Sequence, residues 1–151
     1  MVPRTILYKR PKIRSLGGVE AYVGLVLERK FPLSADQDWR ASRLKEFIDR
    51  HPDRLSRDVT DLYKQIGLSL SGRQGRRVFK LSIGMGIGEY LNYKRLAVAA
   101  ERLQKTDAPV KTIAADAGYP QTRSFARRFK KLFRLSPMEF RRLWRRRQFA
   151  A

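Results

Sequence analysis

Cysteine is absent from this 151-residue chain, and histidine occurs only once, at His51. Without cysteine, disulfide bonds, thiolate zinc sites and thiol catalysis are all excluded. One histidine is too few for a histidine-based metal cluster or a catalytic triad. The sequence therefore predicts no metal site, no cofactor and no enzymatic activity.

Acidic residues are scarce, because 14 Asp and Glu stand against 34 Lys and Arg, a formal net charge of +20 at pH 7. Such an imbalance destabilises a compact chain by self-repulsion unless a polyanion neutralises it. Nucleic acid and an anionic membrane surface are the two candidates. No apolar run approaches the roughly 20 residues that a spanning helix needs, so membrane binding would be peripheral. The first residues do not resemble a signal peptide, and secretion is not indicated.

Residues 1–36 form an N-terminal extension whose structure the pattern leaves open. Odd positions from Val19 onward are apolar, as in a strand, but Val19, Val23 and Val26 also fit one face of a helix. The loop-forming composition of residues 32–38 predicts a boundary. The extension is interpreted either as a tail that packs loosely on the following domain or as a basic arm that touches phosphates or a minor groove.

Residues 37–148 carry the apolar spacing of amphipathic helices. Pro52, Gly67, Gly84 and Gly118 are placed to end helices, and Pro109 is placed in the first turn of one. The predicted helices lie at 39–51, 59–66, 72–82, about 87–105, 110–117, between 118 and 134, and from 136 onward.

An internal repeat organises these helices. Val59, Leu62, Ile66 and Gly67 correspond to Val110, Ile113, Ala117 and Gly118 at an offset of 51. Arg77, Phe79, Lys80, Glu89 and Tyr90 correspond to Arg127, Phe129, Lys130, Glu139 and Phe140 at an offset of 50. Each half is a short helix, a glycine turn and a basic helix, which is the helix-turn-helix pattern. The first turn is one residue longer than the second.

The predicted fold class is therefore all-α, with two helix-turn-helix subdomains joined by a long linker helix and preceded by the N-terminal extension. The first unit spans 37–84, the linker 85–108 and the second unit 109–148. A linker helix of about 19 residues spans roughly 29 Å, and one turn of B-DNA is about 34 Å. The two basic helices can thus enter successive major grooves of a duplex.

Outward side chains in the first two turns of a recognition helix reach base edges. The candidates for base contact are Arg73, Arg76, Arg77, Thr122, Arg123, Ser124 and Arg127. Those for phosphate contact are Lys80, Arg128, Lys130 and Lys131. Arginine pairs bidentately with guanine, whereas phosphate contacts supply affinity without reading sequence. For any one of these arginines the alternative is a solvated surface charge.

From about residue 40 to 147 the sequence resembles the DNA-binding domain of the AraC/XylS family of bacterial transcription regulators. The residues that carry the resemblance are Gly118-Tyr119, Phe125, Arg127, Phe129-Lys130, Phe133, Ser136-Pro137 and Phe140-Arg141, with Gly84, Gly88-Glu89-Tyr90-Leu91, Arg95-Leu96, Ala99, Leu103, Val110 and Ile113-Ala114 before them. The resemblance implies sequence-specific binding of double-stranded DNA, RNA polymerase as a further partner, and a cytoplasmic, nucleoid-associated location.

Family members usually carry a separate ligand-sensing or dimerisation domain. Residues 1–36 are too short for one with its own core. We therefore expect no small-molecule effector domain, and we expect the chain to bind DNA as a monomer. The chain can be either a stand-alone module or a fragment of a longer regulator, and the sequence does not decide between them.

Three departures from the family pattern carry expectations. Arg134 replaces the glycine that usually ends the second recognition helix, so it must adopt positive φ or end the helix differently. Gln121 replaces the usual Asp or Ser cap, so the first turn of that helix is expected to be less well fixed. Gly75 stands where Phe125 lies in the second unit, which predicts that the first recognition helix lacks an inward anchor. Gly72 and Gly75 each cost about 1 kcal/mol against alanine, so that helix is expected to be the looser one.

Three other functions are compatible with a basic helical chain, but they fit the sequence pattern less well than sequence-specific regulation. A non-specific RNA-binding or nucleoid protein needs only charge, whereas the repeat supplies two spaced recognition helices. A related module adjoins a cysteine methyl acceptor in DNA-alkylation repair enzymes, and the absence of cysteine excludes that chemistry. A basic amphipathic membrane binder is disfavoured because the apolar faces are needed for mutual packing.

Overall fold

The computed structural model describes residues 18, 19, 21–23, 26, 38–51 and 58–149, and every regular element in these stretches is helical. The helices are α1 (Trp39–Arg50), α2 (Val59–Gln65), α3 (Gly72–Ile83), α4 (Ile87–Lys105), α5 (Val110–Asp116), α6 (Thr122–Phe133) and α7 (Pro137–Phe149). The all-α architecture is confirmed. In the described part of the chain, no helix has the length and apolarity needed to cross a membrane.

The described residues between 18 and 26, hereafter the N-terminal segment, are helical at 19, 21–23 and 26. Of the two interpretations, the strand is therefore wrong for these residues. The helix indicated by the spacing of Val19, Val23 and Val26 is correct. These three valines and Tyr22 are buried in one core with the aromatic residues of the second unit. For these residues the interpretation as a loosely packed tail is also wrong. The basic positions of the predicted arm, from Arg4 to Arg14, lie outside the described residues.

Two hydrophobic cores are built on the linker helix α4. Its first half contributes Ile87, Tyr90 and Leu91 to the core of the first unit. Its second half contributes Leu96, Ala99, Ala100 and Leu103 to the core of the second unit. The expected apolar stripe of this helix is confirmed. Because α4 belongs to both cores, it fixes the position of each recognition helix relative to the other.

The repeat seen in the sequence is a repeat of structure. Helices α2 and α5 start at Val59 and Val110, an offset of 51, whereas α3 and α6 start at Gly72 and Thr122, an offset of 50. The first turn is therefore one residue longer, as predicted. Gly67 and Gly118 both adopt left-handed φ, at 77° and 83°, which glycine allows without strain.

Helix caps fix the ends of these elements. Ser71 and Gln74 cap α3 with a reciprocal capping box. Ser136 and Glu139 bond in the same way at the start of α7. The backbone N–H and the hydroxyl of Ser136 hold the pKa of the Glu139 carboxyl below its ordinary value. Pro109 stands immediately before α5 as its N-cap, rather than inside its first turn.

Helix α3 lacks an inward side chain at Gly75, as expected, and the space beside Gly75 is filled instead by Tyr63 of α2. The Tyr63 side chain is fully buried and its hydroxyl donates a hydrogen bond to the Gly75 carbonyl at 3.1 Å. Burial raises the pKa of Tyr63 to about 12, which keeps the phenol protonated and able to donate. At the equivalent places in the second unit stand a small Ala114 and a large Phe125, both fully buried.

A charge cluster joins α1 to α4. The Asp49 carboxylate accepts hydrogen bonds from the Tyr90 hydroxyl and from the ammonium groups of Lys45 and Lys94, both at 2.8 Å. Burial alone would raise the pKa of Asp49, but these three hydrogen bonds together hold it below its ordinary value. Burial, reinforced by Asp49, raises the pKa of Tyr90. The cluster pins the first unit to the linker helix.

Candidate nucleic-acid interface

Helix α6 has one buried, apolar face and one exposed, cationic face. Phe125, Phe129, Leu132 and Phe133 are buried. On the opposite face, the exposed side chains at positions i, i+4 and i+7 are Arg123, Arg127 and Lys130. Successive members of this series project from one face of a helix, and together they form the outward stripe of α6.

Helix α3 presents the same stripe at an offset of 50. Its exposed members are Arg73, Arg77 and Lys80, opposite the buried Gly75 and Phe79. The stripe of the first unit is therefore also cationic.

Arg76, a third predicted base contact, lies to the side of this stripe. A Cβ atom placed on Gly72 would lie 3.4 Å from Nη1 of Arg76 and 3.2 Å from Oγ1 of Thr60 in α2. The Arg76 guanidinium thus lies by the first turn of α3, next to α2. In the second unit the equivalent residue is Ala126, so this cation has no counterpart there.

The remaining candidates lie at the start and along the flank of α6. Thr122 and Ser124 are half-buried in its first turn, and Arg128 and Lys131 are exposed. Gln121 makes no side-chain hydrogen bond as N-cap, as expected from its replacement of Asp or Ser. The assignment of each candidate to bases or to phosphates stays a prediction.

Two contacts that position α6 are absent from the sequence-based predictions. The Tyr119 hydroxyl in the turn before α6 donates to Oδ1 of Asn92 on the linker helix, and its ring packs edge-on against Phe125. At the other end, the Tyr22 hydroxyl donates to the carbonyl of Leu132 at 2.9 Å. Tyr119 was visible as a motif residue, but neither hydrogen-bond partner could be identified from spacing, because each lies far away in sequence.

Arg134 ends α6 in the left-handed conformation, with φ at 64°. It is the one non-glycine residue with positive φ in the described part of the chain. The equivalent C-cap of α3 is Gly84, with φ at 83°. Of the two alternatives left open by the sequence, positive φ or a different helix end, Arg134 adopts the first.

Arg134→Gly is expected to raise the free energy of unfolding by about 0.5–1 kcal/mol. The left-handed conformation costs a non-glycine residue roughly 1–2 kcal/mol, and the greater freedom of glycine in the unfolded chain offsets about 0.4–1 kcal/mol of that gain. Urea denaturation without DNA measures the change. The mirror substitution Gly84→Arg should destabilise, so two changes of the same sign would contradict the assignment.

Comparison with known proteins identifies a matching family and relatives of this chain. A family model described as a helix-turn-helix domain matches residues 67–143. The chain is 36% identical over 99 residues to the regulatory protein SoxS of Salmonella typhimurium, covering 65% of this chain and 89% of that protein. It is 39% identical over 66 residues to the transcriptional activator AarP of Providencia stuartii, covering 44% and 49%.

A solved structure agrees with these sequence relatives. The C-terminal domain of AraT, a response regulator from Geobacillus stearothermophilus, superposes with a TM-score of 0.55 at 26% identity, covering 74% of this chain and 88% of that one. The chain belongs to the AraC/XylS family of helix-turn-helix transcription regulators.

Proposed function

We propose that the chain regulates transcription by placing α3 and α6 in two successive major grooves on one face of a specific duplex. The observation that carries the proposal is the pair of equivalent cationic stripes, Arg73–Arg77–Lys80 and Arg123–Arg127–Lys130, on helices held by one shared linker. The 19 residues of α4 span roughly 29 Å, against about 34 Å for one turn of B-DNA.

The role proposed for each side chain follows from its position on its helix. Arg73, Arg77, Arg123 and Arg127 lie in the first two turns, where a recognition helix approaches base edges, and their guanidinium groups match guanine O6 and N7. Arg76, Thr122 and Ser124 are secondary base contacts at the edges of these turns. Lys80, Lys130 and Lys131 lie further along, and Arg128 lies on the flank of α6. These four bind phosphates, which position the duplex and make binding salt-dependent.

The same arrangement suggests how the complex assembles. Two recognition helices in one chain supply both halves of a site, so binding as a monomer requires no second copy. The relatives named as regulators and activators support a regulatory role in the cytoplasm, with RNA polymerase as the second partner of the DNA-bound chain. The names of these relatives are those of regulators, which supports a binding role rather than an enzymatic one.

Selection of binding sites from random duplexes tests the function directly. At about 150 mM salt, we expect enrichment of a motif with two halves about one helical turn apart. Absence of any motif over scrambled competitor would refute sequence-specific regulation. Equal or tighter binding of single-stranded or structured RNA would instead favour a general nucleic-acid-binding protein.

Arg127→Ala should weaken binding to the selected duplex about 10- to 100-fold, the loss expected for one bidentate base contact worth about 1–3 kcal/mol. It should also relax the preference at one base position. Lys130→Ala removes the same charge one turn later and should weaken all duplexes alike, lowering the salt slope by about one. Quantitative gel shifts on the selected site and on single-base variants measure both. A uniform loss for Arg127→Ala would reassign Arg127 to a phosphate.

A further inference from the structure

The turn before α6 carries a hydroxyl group that the equivalent turn of the first unit lacks. In both turns the residue after the glycine donates its backbone N–H at 2.9 Å to a carbonyl of the preceding helix, from Leu68 to Tyr63 and from Tyr119 to Ala114. Both pairs obey the offset of 51 that relates the two units. Since leucine completes the same backbone turn in the first unit, the Tyr119 hydroxyl is not needed to form a turn of this kind.

Tyr119 contacts a different element at each end of its side chain. Its hydroxyl donates to Oδ1 of Asn92 on the linker helix α4. Its ring packs edge-on against Phe125 with the centroids 5.5 Å apart, and Phe125 lies 5.5 Å from Phe129. Phe125 and Phe129 are fully buried anchors of α6. Tyr119 is therefore a short, stiff spacer between the linker helix and the second recognition helix.

Asn92 lies in the part of α4 that is held by the first unit. Tyr90 donates to the Asp49 carboxylate of α1, and the Lys94 ammonium pairs with the same carboxylate at 2.8 Å. Tyr93, the neighbour of Asn92, packs against both hydrophobic cores. The stretch of α4 around Asn92 is thus the junction of the two units. The hydrogen bond to Asn92 attaches the second recognition helix to the part of the linker that is fixed to the first unit.

We propose that Asn92 and Tyr119 form a joint that sets the distance and the angle between the two recognition helices. Neither residue belongs to the cationic stripes, so both are positioning residues that act through α6. The joint determines which spacing of two half-sites the chain selects, a consequence that rests on the proposed function. One additional base pair moves a half-site by about 3.4 Å and turns it by about 35° around the duplex axis. A rigid joint rejects such a site, whereas a loosened joint tolerates it.

Spin labels on the two units test the joint without DNA. The chain has no native cysteine, so labels attach only at Lys64→Cys on α2 and Lys111→Cys on α5, which are exposed and outside the stripes. We expect a single narrow distribution of distances by pulsed electron paramagnetic resonance. Asn92→Ala removes the acceptor, and Tyr119→Phe removes the donor but keeps the ring. Each should broaden or shift the distribution, and the double variant should add nothing, because all three lack the same bond.

Two further variants separate this bond from a general loss of stability. Asn92→Asp keeps an oxygen acceptor for the tyrosine hydroxyl and should retain the narrow distribution. Tyr22→Phe also removes a tyrosine hydroxyl that is bonded to α6, but that bond stays within the second unit. It should leave the distance between the units unchanged. If packing of the second core alone fixes α6, all variants will show the same distribution. That result would overturn the proposal, as would equal changes in Tyr22→Phe and Tyr119→Phe.

Duplexes with altered spacing test the consequence separately. We expect the selected site to bind about tenfold more tightly than the same two halves moved by one base pair, because the duplex must deform to meet both helices. Asn92→Ala should reduce this preference about two- to tenfold, the factor that corresponds to one hydrogen bond, and leave the base preference within each half unchanged. An equally strict spacing in Asn92→Ala would refute the joint. Selection of no motif, with distance distributions that respond as expected, would refute only the proposed function.

Discussion

Tyr22→Ala is expected to lower the free energy of unfolding by about 3–5 kcal/mol, the usual cost of removing a buried aromatic side chain. Tyr22 is 2% exposed, and its ring stacks on Phe133 with the centroids 5.9 Å apart. A domain of this size has a total stability of only about 5–15 kcal/mol. The substitution should therefore remove a large fraction of it, as measured by urea denaturation.

The hydroxyl of Tyr22 contributes separately from its ring. The Leu132 carbonyl is in the last turn of α6, where backbone acceptors have no partner within the helix. Tyr22 donates to this carbonyl at 2.9 Å. Tyr22→Phe keeps the ring and loses only this bond, so it should cost about 1 kcal/mol. The difference between the two variants separates packing from helix capping.

The stability lost in Tyr22→Ala should also be confined mainly to the second unit. Tyr22 packs in the core of the second unit, which is distinct from the core around Phe79 and Tyr63. Opening free energies differ between parts of a protein, so amide exchange should accelerate more in α5 and α6 than in α2 and α3. Trp39→Ala is the matched control, because Trp39 is 61% exposed and should change stability by less than about 0.5 kcal/mol. A Tyr22→Ala effect as small as that of Trp39→Ala would show that the segment does not dock in solution.

The helices from α1 to α7 could be predicted from the sequence because their limits are local. Ile87–Lys105 is bounded as predicted, since Gly84 and Pro109 act within a few residues. The secondary structure of the N-terminal segment could not be decided from the sequence, for the opposite reason. Its valines satisfy both a period of two and a helical spacing, and what stabilises it is a surface that begins about 100 residues later, at α6. Contacts of that separation leave no trace in local periodicity.

The candidate site likewise has features that could be predicted from the sequence and features that could not. The outward stripes could be predicted, because a buried stripe of Phe125, Phe129 and Leu132 determines which side chains project to the other face. The hydrogen bond that holds the turn before α6 to α4 could not be predicted, because it joins residues 27 positions apart. The position of Gly75 shows an intermediate case. The repeat correctly located a missing aromatic side chain, but it could not show that Tyr63 from the preceding helix fills the space.

Gly75→Ala is therefore expected to destabilise the first unit, against the usual preference for alanine in a helix. A Cβ atom at Gly75 would lie 2.4 Å from Cε2 and 2.8 Å from Cδ2 of Tyr63, and 3.0 Å from Cγ1 of Val59. The Tyr63 ring cannot turn aside freely, because it is fully buried and bonded to the Gly75 carbonyl. Overpacking of this kind costs about 1–3 kcal/mol, which outweighs the roughly 1 kcal/mol gained from helix propensity.

The same substitution at Gly88 provides the matched control. Gly88 lies in the first turn of α4, and a Cβ atom there would meet nothing within 4 Å. Gly88→Ala should therefore stabilise the chain by up to about 1 kcal/mol. Urea denaturation of both variants under one set of conditions compares them. Stabilisation by both substitutions would mean that the contact between Gly75 and Tyr63 does not limit packing.

A double-mutant cycle tests the cause rather than the size of the effect. Tyr63→Ala alone should cost about 3–5 kcal/mol, because it leaves a cavity in the core. In that background Gly75→Ala meets no ring, so its effect should change sign and become stabilising. Adding Gly75→Phe to Tyr63→Ala goes further, since it gives the first unit the pairing of Ala114 with Phe125 in the second. Partial recovery of stability in this swap would show that the two halves solve one packing problem with the large side chain on opposite helices. No recovery would show that the surrounding residues, Val59 among them, have adapted to the tyrosine alone.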